Sequence, residues 1–216
     1  MSEEMPRNLV GDEARPQRDD AAKEAEWLAN NVPAGGLELR WRYANRNIQL
    51  FERHLRSLGN YNVGPALRSY LRTRLEWLND NKVYERPEGI VVVTIAENGD
   101  VDAYLEQASE APQLSFGELS SFSGTVWALV EGKLYCSPEV AAMKGACETF
   151  AKDLATTLAS AQGYEFVGAP FAGELPESAE VFAVSDEFGF VGVANPAALS
   201  AKMQACFDKL WSQDKR

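Results

Sequence analysis

Ile90-Val-Val-Val-Thr-Ile-Ala96, then Glu97-Asn98-Gly99-Asp100, then Val101 to Leu105, is the stretch that most narrows the fold. Asn-Gly between β-branched runs favours a tight turn with positive φ, so the two runs should return antiparallel. The device recurs. Thr125 to Val130 is followed by Glu131-Gly132 and then Lys133 to Cys136, which predicts a second hairpin. Val181 to Val184 and Phe188 to Val193, turning near Ser185-Asp186, predict a third strand pair. Upstream, Leu37, Leu39, Trp41 and Tyr43 alternate with Glu38, Arg40 and Arg42, the period of a half-buried strand.

Helical signals lie between these strands. Asp19 or Asp20 is placed to cap a short helix, AAKEAEWLAN, that stops before Pro33. Asn45 to Asn47 predicts a turn. Ile48, Phe51, Leu55 and Leu58 recur at helical spacing, and Gly59 is expected to end that helix. Pro65 suits the first turn of the next, whose apolar stripe is Leu67, Leu71, Leu75 and Leu78. Ser137-Pro138 opens a helical region that Gly145 interrupts, Ala146 to Ala161 continues it, and Gly163 stops it. Asn195-Pro196 caps a final helix to about Trp211. Strand pairs mixed with helices imply an α+β fold, a largely antiparallel sheet with packed helices. The polar stretch 1–18 reads as a flexible arm. The remainder, 19–216, reads as a single α+β domain with room for two subdomains, 37–110 and 120–216.

Charge narrows the partners. The net charge is −11 over 216 residues. Nucleic-acid binding draws its affinity from a basic footprint, so the balance argues against a nucleic-acid partner. The distribution is uneven: 36–90 hold 6 acids and 10 bases, net +4, while 91–216 hold 18 acids and 7 bases, net −11. Cys136, Cys147 and Cys206 are odd in number and widely spaced, which fits reduced thiols and no zinc site. No apolar h-region opens the chain and no apolar run reaches a membrane-spanning length, so the expectation is a soluble, acidic, cytoplasmic protein without a membrane partner.

Chemistry-bearing motifs are sparse. Neither a phosphate loop nor a nucleophile elbow is present. Glu97 to Asp100 reads as a turn before a metal loop, and Gly189 and Gly192 as turn and packing glycines. His54 is the lone imidazole, read as a surface or boundary residue kept neutral by Arg53 and Arg56. Cys147 reads as a small core hydrophobe rather than a reactive thiol. The arginines are the most distinctive set. Arg40 and Arg42 share a strand face, Arg53 and Arg56 share a helix side, and Arg68 and Arg72 share the next. Guanidinium groups clamp carboxylates bidentately, so Arg40, Arg42, Arg53 and Arg56 are the candidate ligand-binding residues for an acidic small molecule or acidic protein segment. The competing reading is a solvated face paired with the chain's own acids.

One ordered set of segments resembles the class IV aminotransferases and their aminodeoxychorismate-lyase relatives, the fold-type IV pyridoxal-phosphate enzymes. Leu37 to Tyr43 followed by Phe51-Glu-Arg-His-Leu-Arg-Ser-Leu58 is similar to their opening strand and helix. Thr125-Val-Trp-Ala-Leu-Val-Glu-Gly132-Lys-Leu-Tyr-Cys-Ser137-Pro138, then Met143-Lys-Gly145-Ala-Cys-Glu148, and then Ser178-Ala-Glu180-Val-Phe182-Ala-Val-Ser185-Asp186 follow in the family's order. The functional positions depart from the family. Its Glu falls on Ser120, its Asn on Thr125, its Arg on Glu148, and its phosphate turn on Val184-Ser185-Asp186. The segment carrying the cofactor lysine is missing, since no Lys lies between Asp100 and Gly124, and Lys133 and Lys144 lie elsewhere in the pattern. The resemblance therefore implies a relative without pyridoxal-phosphate chemistry and with no cofactor, a pseudoenzyme that acts as a binding or partner protein and forms a homodimer. The alternatives are an acidic adaptor unrelated to such enzymes and, ranked last, a shortened active transferase or lyase that uses pyridoxal phosphate.

Overall fold

The computed structural model describes residues 15–16, 20–44, 47–81, 88–108, 110, 114–115, 118–119, 122, 124–142, 149–193 and 197–213. The chain is α+β and divides into two compact units, Met1–Ala108 and Ser109–Arg216.

In the first unit, α1 (Ala21–Asn31) begins at Asp20, whose carboxylate accepts the Lys23 N–H at 3.2 Å. A sheet of order β2-β1-β3-β4 follows, built from β1 (Leu37–Ala44), β2 (Asn47–Ile48), β3 (Glu88–Ile95) and β4 (Val101–Glu106), and every pairing is antiparallel. Helices α2 (Phe51–Ser57) and α3 (Pro65–Asn81) supply Phe51, Leu55, Leu67, Leu71, Leu75 and Leu78 to the core. That core also takes Leu39, Trp41 and Tyr43 from β1 and Val91, Val93 and Ile95 from β3. The alternation in β1 is thus realised: its apolar residues face the helices and its arginines face away.

The helix expected from Ile48 to Leu58 is corrected at both ends. Asn47 and Ile48 pair back onto Ala44 and Tyr43 as β2, and Leu50 takes a left-handed conformation (φ 53°), so the helix begins at Phe51. The Gln49 side-chain amide fastens this reversal, donating to Ala44 O at 2.7 Å and Asn47 O at 3.2 Å. Gly59 does not end the helix. It lies in a 3-10 turn, Leu58–Tyr61, and the left-handed residue that closes it is Asn62 (φ 57°). Asn tolerates that region better than most residues, which is why it can replace glycine there.

The second unit holds β5 (Thr125–Val130), β6 (Lys133–Cys136), α4 (Pro138–Ala142), α5 (Phe150–Ala161), β7 (Glu165–Phe166), β8 (Glu180–Ser185), β9 (Gly189–Gly192) and α6 (Ala197–Gln213). Its sheet order is β7-β6-β5-β8-β9, antiparallel except for the parallel β6–β7 pair. Phe150, Leu154 and Leu158 bury one face of α5, and Thr149 caps its start by accepting the Lys152 N–H at 3.1 Å. A row of rings runs from β8 to α6: Phe182–Phe190 at 5.4 Å, Phe190–Phe207 at 6.4 Å and Phe207–Trp211 at 4.9 Å. Gly189 has φ +66°, and a Cβ there would collide with the Phe207 ring. The opposite sheet face carries its own apolar cluster of Leu114, Ala128, Val181, Ala183, Val191 and Val193.

Residues 45 and 46 of the expected Asn45 to Asn47 turn, the Gly145 interruption, the cap at Asn195-Pro196 and most of the 1–18 arm lie outside the described residues. Arg15, within that arm, is held. Its guanidinium donates to Glu24 at 2.9 Å and Asp100 at 3.2 Å, and lies 5.9 Å from the Trp27 ring centroid.

Candidate functional site

The four candidate arginines do not converge. Arg40 and Arg42 project from the side of β1 opposite Trp41, whereas Arg53 and Arg56 belong to α2, which packs on the Trp41 side. Arg40 donates to Glu106 at 2.7 Å. Arg40 is paired with Val92 and Glu106 with Ile90, so this bridge crosses β3 diagonally over two fully buried side chains. Arg42 meets Glu88 at 3.4 Å, a looser contact to a carboxylate that is 57% exposed. On the helical side, Arg72 grips Glu52 with two bonds of 2.8 and 2.9 Å. Arg74 donates to the Tyr70 hydroxyl at 2.8 Å and reaches Asp102 at 3.7 Å. Much of the basic segment therefore serves internal ion pairs, the use that a chain rich in acids makes available.

His54 is in the core, not at the surface. It is 2% exposed and stacks on Trp41 with centroids 4.7 Å apart and planes 15° apart. Burial, rather than the neighbouring arginines, keeps it neutral by pushing its pKa down to about 3. Cys136 is also buried, and burial pushes its thiol pKa up, with partial opposition from its backbone hydrogen bond and Lys152. Cys147 lies outside the described residues. Glu97 to Asp100 forms the expected turn, with Asp100 N–H donating to Asn98 at 3.0 Å and its carboxylate tied to Arg15. Among the described residues, no cluster of His, Cys, Asp and Glu could hold a metal ion. No helix among them is long and apolar enough to cross a membrane.

The positions matched to the resembling family lie in the second unit. Thr125 opens β5, and its hydroxyl accepts the Trp127 indole N–H at 2.8 Å while lying 3.4 Å from Val184 O. Ser185 ends β8, and its hydroxyl accepts the Phe188 N–H at 3.0 Å, closing the turn into β9. Ser120, Lys144 and Glu148 lie outside the described residues. Lys133, Lys202 and Lys209 are exposed, and Lys152 is half-buried with its ammonium 5.7 Å from the Phe166 ring centroid.

Glu180, quoted among the motif matches, was given no role of its own by sequence reasoning. It starts β8, and one carboxylate oxygen is enclosed with no hydrogen-bond partner. Burial raises its pKa and Lys202 on α6 opposes the rise. Burial and the Glu180 charge together raise the Tyr164 hydroxyl. The signal available in the sequence was its position at the head of an apolar strand, where a carboxylate is uncommon.

No family model matches the sequence, and no curated protein matches it. Solved structures do. A hypothetical aminotransferase from Mycobacterium tuberculosis in its apo form superposes with a TM-score of 0.58 at 12% identity, covering 87% of this chain and 93% of that one. Its PLP-bound form gives 0.58 at 11%, with the same coverage. A Legionella pneumophila protein described as a 4-amino-4-deoxychorismate lyase gives 0.53 at 9%, covering 82% of this chain and 91% of that one. This chain has the aminotransferase-like fold. At such identities the likeness establishes architecture, and activity must be argued from side chains.

Proposed function

We propose that this chain keeps the aminotransferase-like, fold-type IV architecture without pyridoxal-phosphate chemistry and works as a binding protein for an acidic ligand or partner. The observation that carries the reading is the internal use of the Thr125 and Ser185 hydroxyls. Both stand at positions matched to the family's site: Thr125 donates to Val184 O and accepts the Trp127 indole N–H, and Ser185 accepts the Phe188 N–H of its own turn. Asp186 follows in the turn matched to the phosphate cradle, where its charge opposes an anion. A Schiff base also needs a positioned amine, and Lys133 points outward from β6. The described donor set does not fit the cofactor, and no catalytic step is assigned.

The acidic-ligand part of the reading rests on Arg42. Its partner Glu88 is distant and solvated, so an incoming carboxylate can displace it at small cost. A homodimer belongs to the same reading, because the resembling enzymes place their sites near subunit interfaces.

The test is a near-UV and visible absorbance scan of purified protein with and without pyridoxal phosphate. The expected spectrum shows tryptophan and tyrosine only, unchanged by the cofactor. A saturable Schiff-base band that borohydride fixes onto one lysine would overturn the reading and locate the amine.

A further inference from the structure

Arg15 joins segments of the first unit that are far apart in sequence. Its guanidinium donates to the Glu24 carboxylate on α1 at 2.9 Å, to Asp100 at 3.2 Å and to the Asn98 carbonyl, the last two in the turn between β3 and β4. It also lies 5.9 Å from the ring centroid of Trp27, again on α1. The turn is set to receive it. The Asn98 side-chain amide donates to one Asp100 oxygen at 2.8 Å, which leaves the other oxygen for Arg15. A planar fork of donors can reach the helix and the turn at once.

The helix so fastened has few other holds at that end. Of the eleven residues of α1, only Asn31, the last, is fully buried, while Trp27 and Leu28 are half-buried. Both lie against the turn: a Cβ on Gly99 would stand 2.9 Å from Leu28 and 3.3 Å from Trp27. An isolated helix of this length is marginal in water, so α1 depends on what it rests on.

The two ends of α1 are held by different physics. At the far end, Asn31 donates to Trp27 O and accepts the Gly64 and Ala66 N–H groups, and the bond to Ala66 is buried. Residues 33–36 then turn the chain into β1, with Gly35 at φ +82° and Gly36 at φ +72°, and a Cβ on Gly35 would meet nothing within 4 Å. At the near end the hold is ionic, and the Asp100 side chain is 60% exposed. Salt screens such exposed pairs and leaves an enclosed neutral bond in place.

We propose that Arg15 is the clasp of a hinged cover. α1 pivots at Asn31 and residues 33–36, and release of Arg15 lifts its first two turns from the β3–β4 turn and bares Trp27. This opening precedes global unfolding and is governed by ionic strength. None of the residues assigned above to ligand binding takes part.

The test is amide exchange followed by NMR on the full chain, wild type and Arg15→Ala, at low salt and in about 1 M potassium chloride, where the screening length falls to about 3 Å. At low salt, Arg15→Ala should lower the protection of amides 24–28 about fivefold or more, the combined loss of exposed ion pairs and a cation–π contact. The wild type should show the same loss in high salt, and Arg15→Ala no further loss. The Gly64 and Ala66 amides, bonded to Asn31, and those of β3 should keep their protection throughout. Unchanged protection at 24–28 in Arg15→Ala would overturn the proposal by denying the clasp. An equal loss in β3 would overturn it by making Arg15 a global stabiliser. Loss at Gly64 and Ala66 would overturn the pivot, and a salt response that persists in Arg15→Ala would overturn the ionic control.

Discussion

The side-chain oxygen of Asn31, the last residue of α1, accepts the backbone N–H of Ala66 in the first turn of α3 at 3.2 Å. One helix thereby caps another 35 residues further along the chain. The Asn31 amide also donates to Trp27 O at 2.9 Å, and Asn31 O accepts Gly64 N–H at 3.0 Å. A Cβ on Gly64 would strike Asn30 O and the Asn31 side chain. Asn31→Ala should therefore cost about 1–2 kcal/mol, the loss of a helix cap plus a buried bond. Asn31→Asp keeps the acceptor and should cost less. Urea unfolding of the two variants checks the order, and equal losses would remove the cap as the cause.

His54 predicts a pH dependence. Its folded pKa of about 3 lies below the unfolded value near 6.5, so between those values the unfolded chain binds more protons. The stabilisation is fully present above about pH 6.5 and is lost as pH falls toward 3. Between about pH 7 and 5.5 the wild type should lose roughly 1 kcal/mol by this route, before most carboxylates titrate. His54→Phe removes the proton uptake while keeping a ring to stack on Trp41. Its stability should be lower overall but flatter over that range. An unchanged slope would assign the pH dependence to other groups.

The Arg40 and Arg42 side of β1 can be separated from its structural duty. Both pairs are partly solvated, so Arg40→Ala with Arg42→Ala should lower stability by less than about 2 kcal/mol. The double variant should lose retention on an immobilised poly-glutamate peptide that the wild type binds. Arg72→Ala, which breaks the pairs from α3 to Glu52 of α2 and to Glu76, should retain it. Loss in Arg72→Ala alone would move the acidic site to the helices.

Cys136 predicts a reactivity contrast. It is buried on β6 with a raised thiol pKa, whereas Cys206 on α6 is only half-buried. Iodoacetamide at mildly alkaline pH should label Cys206 first and reach Cys136 on the timescale of unfolding, because the thiolate is the nucleophile. Peptide mapping of timed samples measures this, and equal labelling rates would contradict the enclosed placement.

The sequence carried strand positions better than side-chain company. Alternation placed β1 at Leu37–Ala44, and the two Gly-containing turns placed the hairpins β3–β4 and β5–β6. The Leu67, Leu71, Leu75 and Leu78 stripe is buried as its spacing implied. Spacing could not show that β1 would place Arg40 and Arg42 on the side away from α2, because which elements share a face is decided by tertiary packing. His54 was misplaced for a related reason: its flanking arginines signal solvent, yet its own position turns inward onto Trp41. β7 was invisible because two residues carry no period, and its parallel pairing with β6 is joined by no tight turn that a sequence signal could mark.

The β5–β6 turn offers a gain in stability that follows from its backbone. Glu131 and Gly132 both have positive φ, 47° and 78°, the pattern of a type I′ hairpin turn. Gly132 takes that conformation freely, while Glu131 is strained by its Cβ. Glu131 is exposed and belongs to a tight turn between paired strands, so its side chain can change without repacking. Glu131→Asn should then raise stability by about 0.5–1 kcal/mol, since Asn visits the left-handed region more readily. Glu131→Val, β-branched, should lower it by a similar or larger amount. The measurement is the urea midpoint of both variants at constant m-value. A midpoint lowered by Asn would mean that the Glu131 side chain contributes more than its backbone strain costs.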